Sequence, residues 1–189
     1  MKNKNVFVLA SLAALALITT AARADDYSDT IALFKNSAQS SSFFGNSYGY
    51  AVFPTIGKGG IGVGGAHGSG KVYAHGKAVG DTSMTQITVG LQLGGQAFSQ
   101  IIFFQDERSF KEFTSGNFEF GAQASAIAVT ASASASAGTA GGNAAASGGK
   151  NDAKTVGQYH KGMVVFTIAK GGLMYEAAIG GQKFSYKPL

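Results

Sequence analysis

Between residues 57 and 80 the chain places ten glycines among short β-branched or aromatic segments, Ile61-Gly62-Val63 and Lys71-Val72-Tyr73. Glycine at this density costs backbone entropy and destabilises long helices, so the region reads as strands that twist sharply, bulge or pass close to another backbone. The neighbouring stretches carry the same signature. Gly49-Tyr50-Ala51-Val52-Phe53-Pro54 reads as a strand closed by proline, and Ile87, Val89, Leu91 and Leu93 alternate with small or polar residues, the period of a strand with one buried face. Gly94-Gly95 then marks a tight turn or a kink before a strand over Gln96 to Phe104.

Helical signals are few. Tyr27, Ile31, Phe34 and Ala38 recur at four, three and four, one stripe of a helix, with Asp25, Asp26 and Asp29 in its first turns and Lys35 near its end, as the helix dipole prefers. Asp106 is placed to cap a second short helix that sets Phe110 and Phe113 on one side. Alternation resumes over Asn117 to Val129, with Phe118, Phe120 and Ala122 sharing a face. From Thr130 to Gly149 every residue is Ala, Ser, Gly, Thr or Asn, too small to bury the area that would offset ordering the chain, so this segment is expected to be a low-complexity loop. Val164 to Ile168, Leu173 to Ile179 and Gln182 to Tyr186 read as strands turning at Gly171-Gly172 and Gly180-Gly181. Seven to nine strands, close in sequence to their neighbours, with two short helices predict a β-rich α+β domain built on a curved antiparallel sheet or partial barrel.

Lys2 and Lys4, the run from Val6 to Ile18 and the triplet Ala22-Arg23-Ala24 form the three parts of a cleavable secretory signal. That run of 13 residues falls short of the roughly 20 that a membrane-spanning helix needs. Residues 1–24 are therefore expected to be a signal peptide, 25–189 a single domain, and the mature protein periplasmic or secreted. Losing Lys2, Lys4 and Arg23 leaves 12 basic against 10 acidic residues, a balance that gives no reason to expect nucleic acid as a partner. Cysteine is absent, so no disulfide, thiolate metal site or lipid-modified cysteine is available.

The motifs that suggest chemistry each fail on a specific residue. Gly65-Ala66-His67-Gly68-Ser69-Gly70-Lys71 has the spacing of a phosphate-binding loop, but Val72 stands where a magnesium-binding hydroxyl belongs, and Lys71-Val72-Tyr73 continues as a strand where a helix must begin. Gly60-Ile61-Gly62-Val63-Gly64-Gly65 fits a dinucleotide pattern without a βαβ unit around it. No nucleotide and no cofactor are expected. His67, His75 and His160 lack metal-site spacing, although the first two could meet across a hairpin as a weak ligand pair; no metal site is expected. No Gly-x-Ser-x-Gly elbow is present, so no catalytic residue is assigned and the protein is expected not to be an enzyme. The remaining lead is basic residues beside glycine or aromatic positions: Lys58, Lys71, Lys77, Arg108 and Lys111. Such groups can hold anionic lipid headgroups at about 1 kcal/mol each near a charged surface, or can simply be solubilising charge.

The run from Gly49 to Pro54, followed by Gly57-Lys58-Gly59-Gly60, Gly62-Val63-Gly64-Gly65 and Gly68-Ser69-Gly70-Lys71-Val72-Tyr73, resembles the opening of a SYLF domain. The order continues through Gly80, Ile87, Gly94-Gly95-Gln96, Phe103, Phe110, Phe113, Phe118, Gly121, Tyr159, Gly162 and Lys170-Gly171-Gly172-Leu173. These are glycine and aromatic positions, specific for fold and weak for function. The resemblance implies lipid binding, because eukaryotic SYLF domains bind phosphoinositides and some also bind and bundle actin. One departure is that the amino-terminal helix, basic and membrane-contacting in eukaryotic relatives, here carries Asp25, Asp26 and Asp29 with only Lys35. The resulting expectation is an exported, non-enzymatic module that binds anionic phospholipid, or a phosphoinositide-type headgroup, peripherally at a membrane. The alternative is a structural or protein-interaction module of the bacterial envelope whose glycine-rich strands pair with other chains, including copies of itself. An unrecognised hydrolase is a third.

Overall fold

A computed structural model describes residues 26–90, 95–121, 124–129, 159–170 and 179–189. The expected signal peptide, the segment 130–149 and most of the strand expected over Leu173 to Ile179 lie outside the described residues, as do the turn residues before Gly95. The chain forms helix α1 (residues 26–35), α2 (Phe43–Asn46), β1 (Gly49–Ala74), β2 (Lys77–Gly90), β3 (Gln96–Phe104), α3 (Glu107–Phe113), β4 (Phe118–Glu119), β5 (Ile127–Ala128), β6 (Met163–Lys170) and β7 (Lys183–Pro188). These strands make one sheet in the order β4-β7-β2-β1-β3-β6-β5, antiparallel at every pair except β5 with β6. It curls into the half-barrel that the spacing of turns and strands predicts.

The glycine-rich region is the reason the sheet can curl. β1 pairs with β3 through Gly49 to Lys58 and with β2 through Gly62 to Ala74, and between these two arms it doubles back on itself. A Cβ on Gly70 would lie 2.8 Å from the Val52 carbonyl oxygen and 2.6 Å from the Phe53 ring, so only glycine lets the arms approach. Gly60, at φ +151°, makes the bend beside Val63 and Gly64. Pro54 does not close the strand as its sequence position suggests. It sits inside β1 at the irregularity between Phe53 and Ile56, where a missing N–H is tolerated, and its carbonyl accepts a 2.7 Å hydrogen bond from the Ser99 hydroxyl.

Two apolar layers follow from the curl. Inside it, Phe53, Ile56, Met84, Ile102, Phe104 and Phe184 are buried, and α3 closes one end with the Phe113 ring 4.9 Å from Phe104 and 5.0 Å from Phe184. Outside it, Val52, Ile101, Phe103, Val164, Phe166 and Ile168 lie under Phe34 of α1 and Phe43 of α2. β3 is thus buried on both faces from Phe98 onward, as its unbroken apolar run over Ile101 to Phe104 suits. α3 forms as expected: the Asp106 carboxylate accepts from the Ser109 N–H at 2.8 Å, and the Ser109 hydroxyl reaches back to the Asp106 N–H.

Three expectations are corrected. Ala38 does not join the α1 stripe, because the helix ends at residue 35 and Ser40 turns under it, its hydroxyl donating to the Phe34 carbonyl at 2.6 Å. Asn117 to Val129 is not one alternating strand; β4 and β5 are two-residue pieces on opposite edges of the sheet, β4 paired with β7 and β5 with β6. Ile87 does not face the core. The inward positions of β2 are Gly80, Thr82, Met84 and Gln86, so Ile87 points outward and is 80% exposed.

Candidate lipid-binding surface

Lys71, on the outward face of β1, is held by β2: its Nζ lies 2.8 Å from Asp81, directly opposite it in the ladder. The Tyr27 ring of α1 sits 5.6 Å from the same ammonium group. Hydrogen bonding to Asp81 holds the Lys71 pKa above its ordinary value, with partial burial working against it. Next to it, Tyr73 stacks on Tyr50 across the doubled β1 with centroids 5.0 Å apart, and burial, with the neighbouring Tyr73, pushes the Tyr50 phenol up to about 12.

Arg108 and Lys111 are likewise committed to carboxylates. Arg108 lies 3.3 Å from Glu112 and 3.8 Å from Asp106, and Lys111 lies 2.9 Å from Glu107, all on or at the start of α3. These pairs are exposed, so they order the helix surface more than they stabilise the fold. Asp106 has its pKa lowered, first by the Ser109 N–H it accepts as helix cap.

Lys58 and Lys77 have no carboxylate within ion-pair distance among the described residues. They stand at opposite ends of the sheet. Lys77 opposes Ala74 beside the His75-Gly76 turn, while Lys58 opposes Gln96 near the bend of β1. Nine residues of extended strand separate Lys58 from Gly49, which lies beside Tyr73, so the backbones of Lys58 and Lys77 are about 30 Å apart along the sheet. The five sequence-derived basic residues therefore do not converge on one patch.

The bend end of the sheet collects other groups instead. Lys170 opposes Ala97, one position from Lys58, and its ammonium reaches the Thr55 hydroxyl at 3.0 Å. Lys183 opposes Thr85, on the outward face that also carries Ile87. Val63 is 64% exposed and shares that face, since Val63 pairs with Val89 and Gly65 with Ile87. Lys170 precedes Gly171 and Lys183 precedes Phe184, the same kind of neighbour that singles out Lys58, Lys71, Lys77, Arg108 and Lys111, so the sequence held a signal for both that does not separate them from other lysines. Ile87 carried a misleading signal, because an apolar alternation reads as an inward face.

No family model matches the chain. Beta cell expansion factor A of Aeromonas veronii is similar to it, 27% identical over 156 residues, which is 82% of this chain and 51% of that protein. The chain spans about half the length of this relative.

The sites weighed for other chemistry look different in three dimensions. Gly65 to Lys71 is strand throughout, paired residue by residue from Ile87 to Asp81, so the phosphate-loop spacing leads to no helix amino terminus. His67 and His75 do not meet across a hairpin. His67 lies within β1 opposite Thr85, and His75 is in the turn after it, with its ring 4.8 Å from Tyr48. Among the described residues no group of three or more His, Asp or Glu side chains is gathered as a metal site would require.

Proposed function

We propose that this protein is an exported, non-enzymatic module of SYLF type that binds anionic lipid, with a phospholipid or phosphoinositide-type headgroup as its ligand, from the periplasmic or extracellular side. The observation that carries this reading is the segregation of charge between the sheet and the helices. The described strands hold six lysines, Lys58, Lys71, Lys77, Lys170, Lys183 and Lys187, against two carboxylates, Asp81 and Glu119. The helices show no such excess: α1 has Asp26 and Asp29 against Lys35, and α3 has two residues of each sign. A net positive sheet attracts an anionic surface over roughly a Debye length, about 8 Å at physiological ionic strength. The relative's name describes an effect on beta cells and no ligand, so the ligand class rests on the charge distribution and on the SYLF resemblance.

A protein-interaction module built on free glycine-rich strands fits less well, because β1 is already paired with β2 along one arm and β3 along the other. Co-sedimentation with vesicles of varied headgroup and salt tests the proposal. Binding should require anionic lipid and weaken steeply as salt rises. Protein that stays in the supernatant with anionic vesicles at low salt refutes it.

A further inference from the structure

We infer that the bend end of the sheet is the part of the molecule that enters the membrane, with Val63 and Ile87 as its apolar wedge and Lys58, Lys170 and Lys183 as a collar at headgroup level. This rests on the lipid-binding reading above and adds an orientation to it. Val63 and Ile87 are 64% and 80% exposed, sit on adjacent strands and point to the same side. Leu189, exposed to 72%, stands at the opposite end, where its N–H donates to the Val79 carbonyl, so it is no part of this pair.

Charge and area together select lipid as the occupant. Measured along the strand direction, each of the three lysines lies within about 13 Å of the bend, four residues of strand rise, so flexible stems can place ammonium groups at the headgroups while the wedge reaches the acyl boundary. Of the two carboxylates carried by the described strands, only Glu119 lies at this end, 3.4 Å from Lys183. A second copy of the chain docking here symmetrically would bring six lysines together. Two exposed side chains also offer far less than the roughly 800 Å² per partner that a stable protein interface buries. A fluid bilayer accepts a narrow apolar tip without needing such an area.

The chain contains no cysteine, so single cysteines introduced as Val63→Cys, Ile87→Cys and, for contrast, Leu189→Cys can each carry an environment-sensitive fluorophore. With phosphatidylglycerol-containing vesicles at low salt, labels at 63 and 87 should shift to the blue and be quenched by lipids brominated near the headgroup end of the acyl chains. The label at 189 should stay as in water. An unlabelled Val63→Ser, Ile87→Ser double variant, which alters only exposed side chains, should keep its thermal unfolding temperature and bind the vesicles more than about tenfold more weakly. If unlabelled wild-type protein co-sediments while the labels at 63 and 87 remain in water, the orientation is wrong and lipid binding stands. If no vesicle binding occurs, both fail. A blue shift that grows with protein concentration without vesicles identifies a second copy as the occupant and overturns the inference.

Discussion

The outer surface of the sheet has two halves that differ in what covers them. Over β3 and β6 the outward side chains are Ile101, Phe103, Val164, Phe166 and Ile168, and α1 and α2 lie across them. Over β2 and β7 the outward side chains include Asp81, Ser83, Thr85, Lys183, Ser185 and Lys187, and no described helix packs there. The same curled sheet thus presents a structural face and an open face, and the distinction follows side-chain size. Phe43 alone gains ring contacts with Phe103, Phe166 and Tyr159 at 5.6, 5.2 and 5.4 Å, which ordering a four-residue helix requires. Serines and threonines on the open half offer a helix nothing comparable, and they instead hydrogen-bond between strands, as Ser83 does with Ser185 at 2.7 Å.

The contrast can be broken most strongly on the covered half. Phe103→Ala removes a fully buried ring and should cost about 3–5 kcal/mol, read as a lowered denaturant midpoint. A loss below about 1 kcal/mol would mean that α1 and α2 are not packed on β3 as described.

Inside the curl, the two halves are tied together by a reciprocal amide pair. The Gln100 amide donates to the Gln182 side-chain oxygen at 2.9 Å, and Gln182 returns the bond at 3.2 Å, linking β3 to the residue that precedes β7. Both residues are fully buried. Gln100→Met leaves the Gln182 amide without its partner and should cost about 1–3 kcal/mol, while Gln100→Met with Gln182→Met should recover most of it. A double variant no better than the single one would show that the pair does not act as a unit.

The seam between the halves is sensitive to alkali. Tyr50 and Tyr73 stack there, and burial raises the pKa of both, Tyr50 to about 12. An acid whose pKa is higher folded than unfolded contributes stability that is fully present below the ordinary phenol value of about 10 and is lost as pH climbs through the folded value. Stability should therefore fall between about pH 10 and pH 12, and Tyr50→Phe should flatten that fall relative to wild type in denaturant titrations across the range. An unchanged slope would assign the alkaline loss to other groups. Ile87→Ser, on the open half, should move stability least, within about 0.5 kcal/mol, despite replacing a large apolar residue at the head of an alternating run.

Parts of this organisation are legible in the order of residues alone. α3 is readable because its cap, its acidic first turn and the Phe110–Phe113 spacing agree within eight residues, and each acts locally. β3 and β6 are readable because runs apolar on both faces suit strands buried on both sides. α2 is not readable in this way: four residues with no side-chain cap make a helix because the outer core rewards Phe43 and Phe44. The same limit applies to the candidate surface. Lys58, Lys170 and Lys183 are dispersed in sequence and come to one end of the sheet only through the ladder, while Lys71, Arg108 and Lys111, singled out by their neighbours, are committed to carboxylates, as Lys183 is to Glu119.

The amino-acid sequence by itself determined the strand-rich composition, the need for glycine where backbones crowd, and the local signals that start α1 and α3. Which face of each strand looks inward was decided only by the tertiary structure. Parity along a strand has a period of two, so one step of register, set by partners dozens of residues away, reverses every side chain at once. Met84 and Gln86 were drawn inside and Ile87 left in solvent by the pairing of β2 with β1 and β7, a choice that no window of neighbouring residues contains.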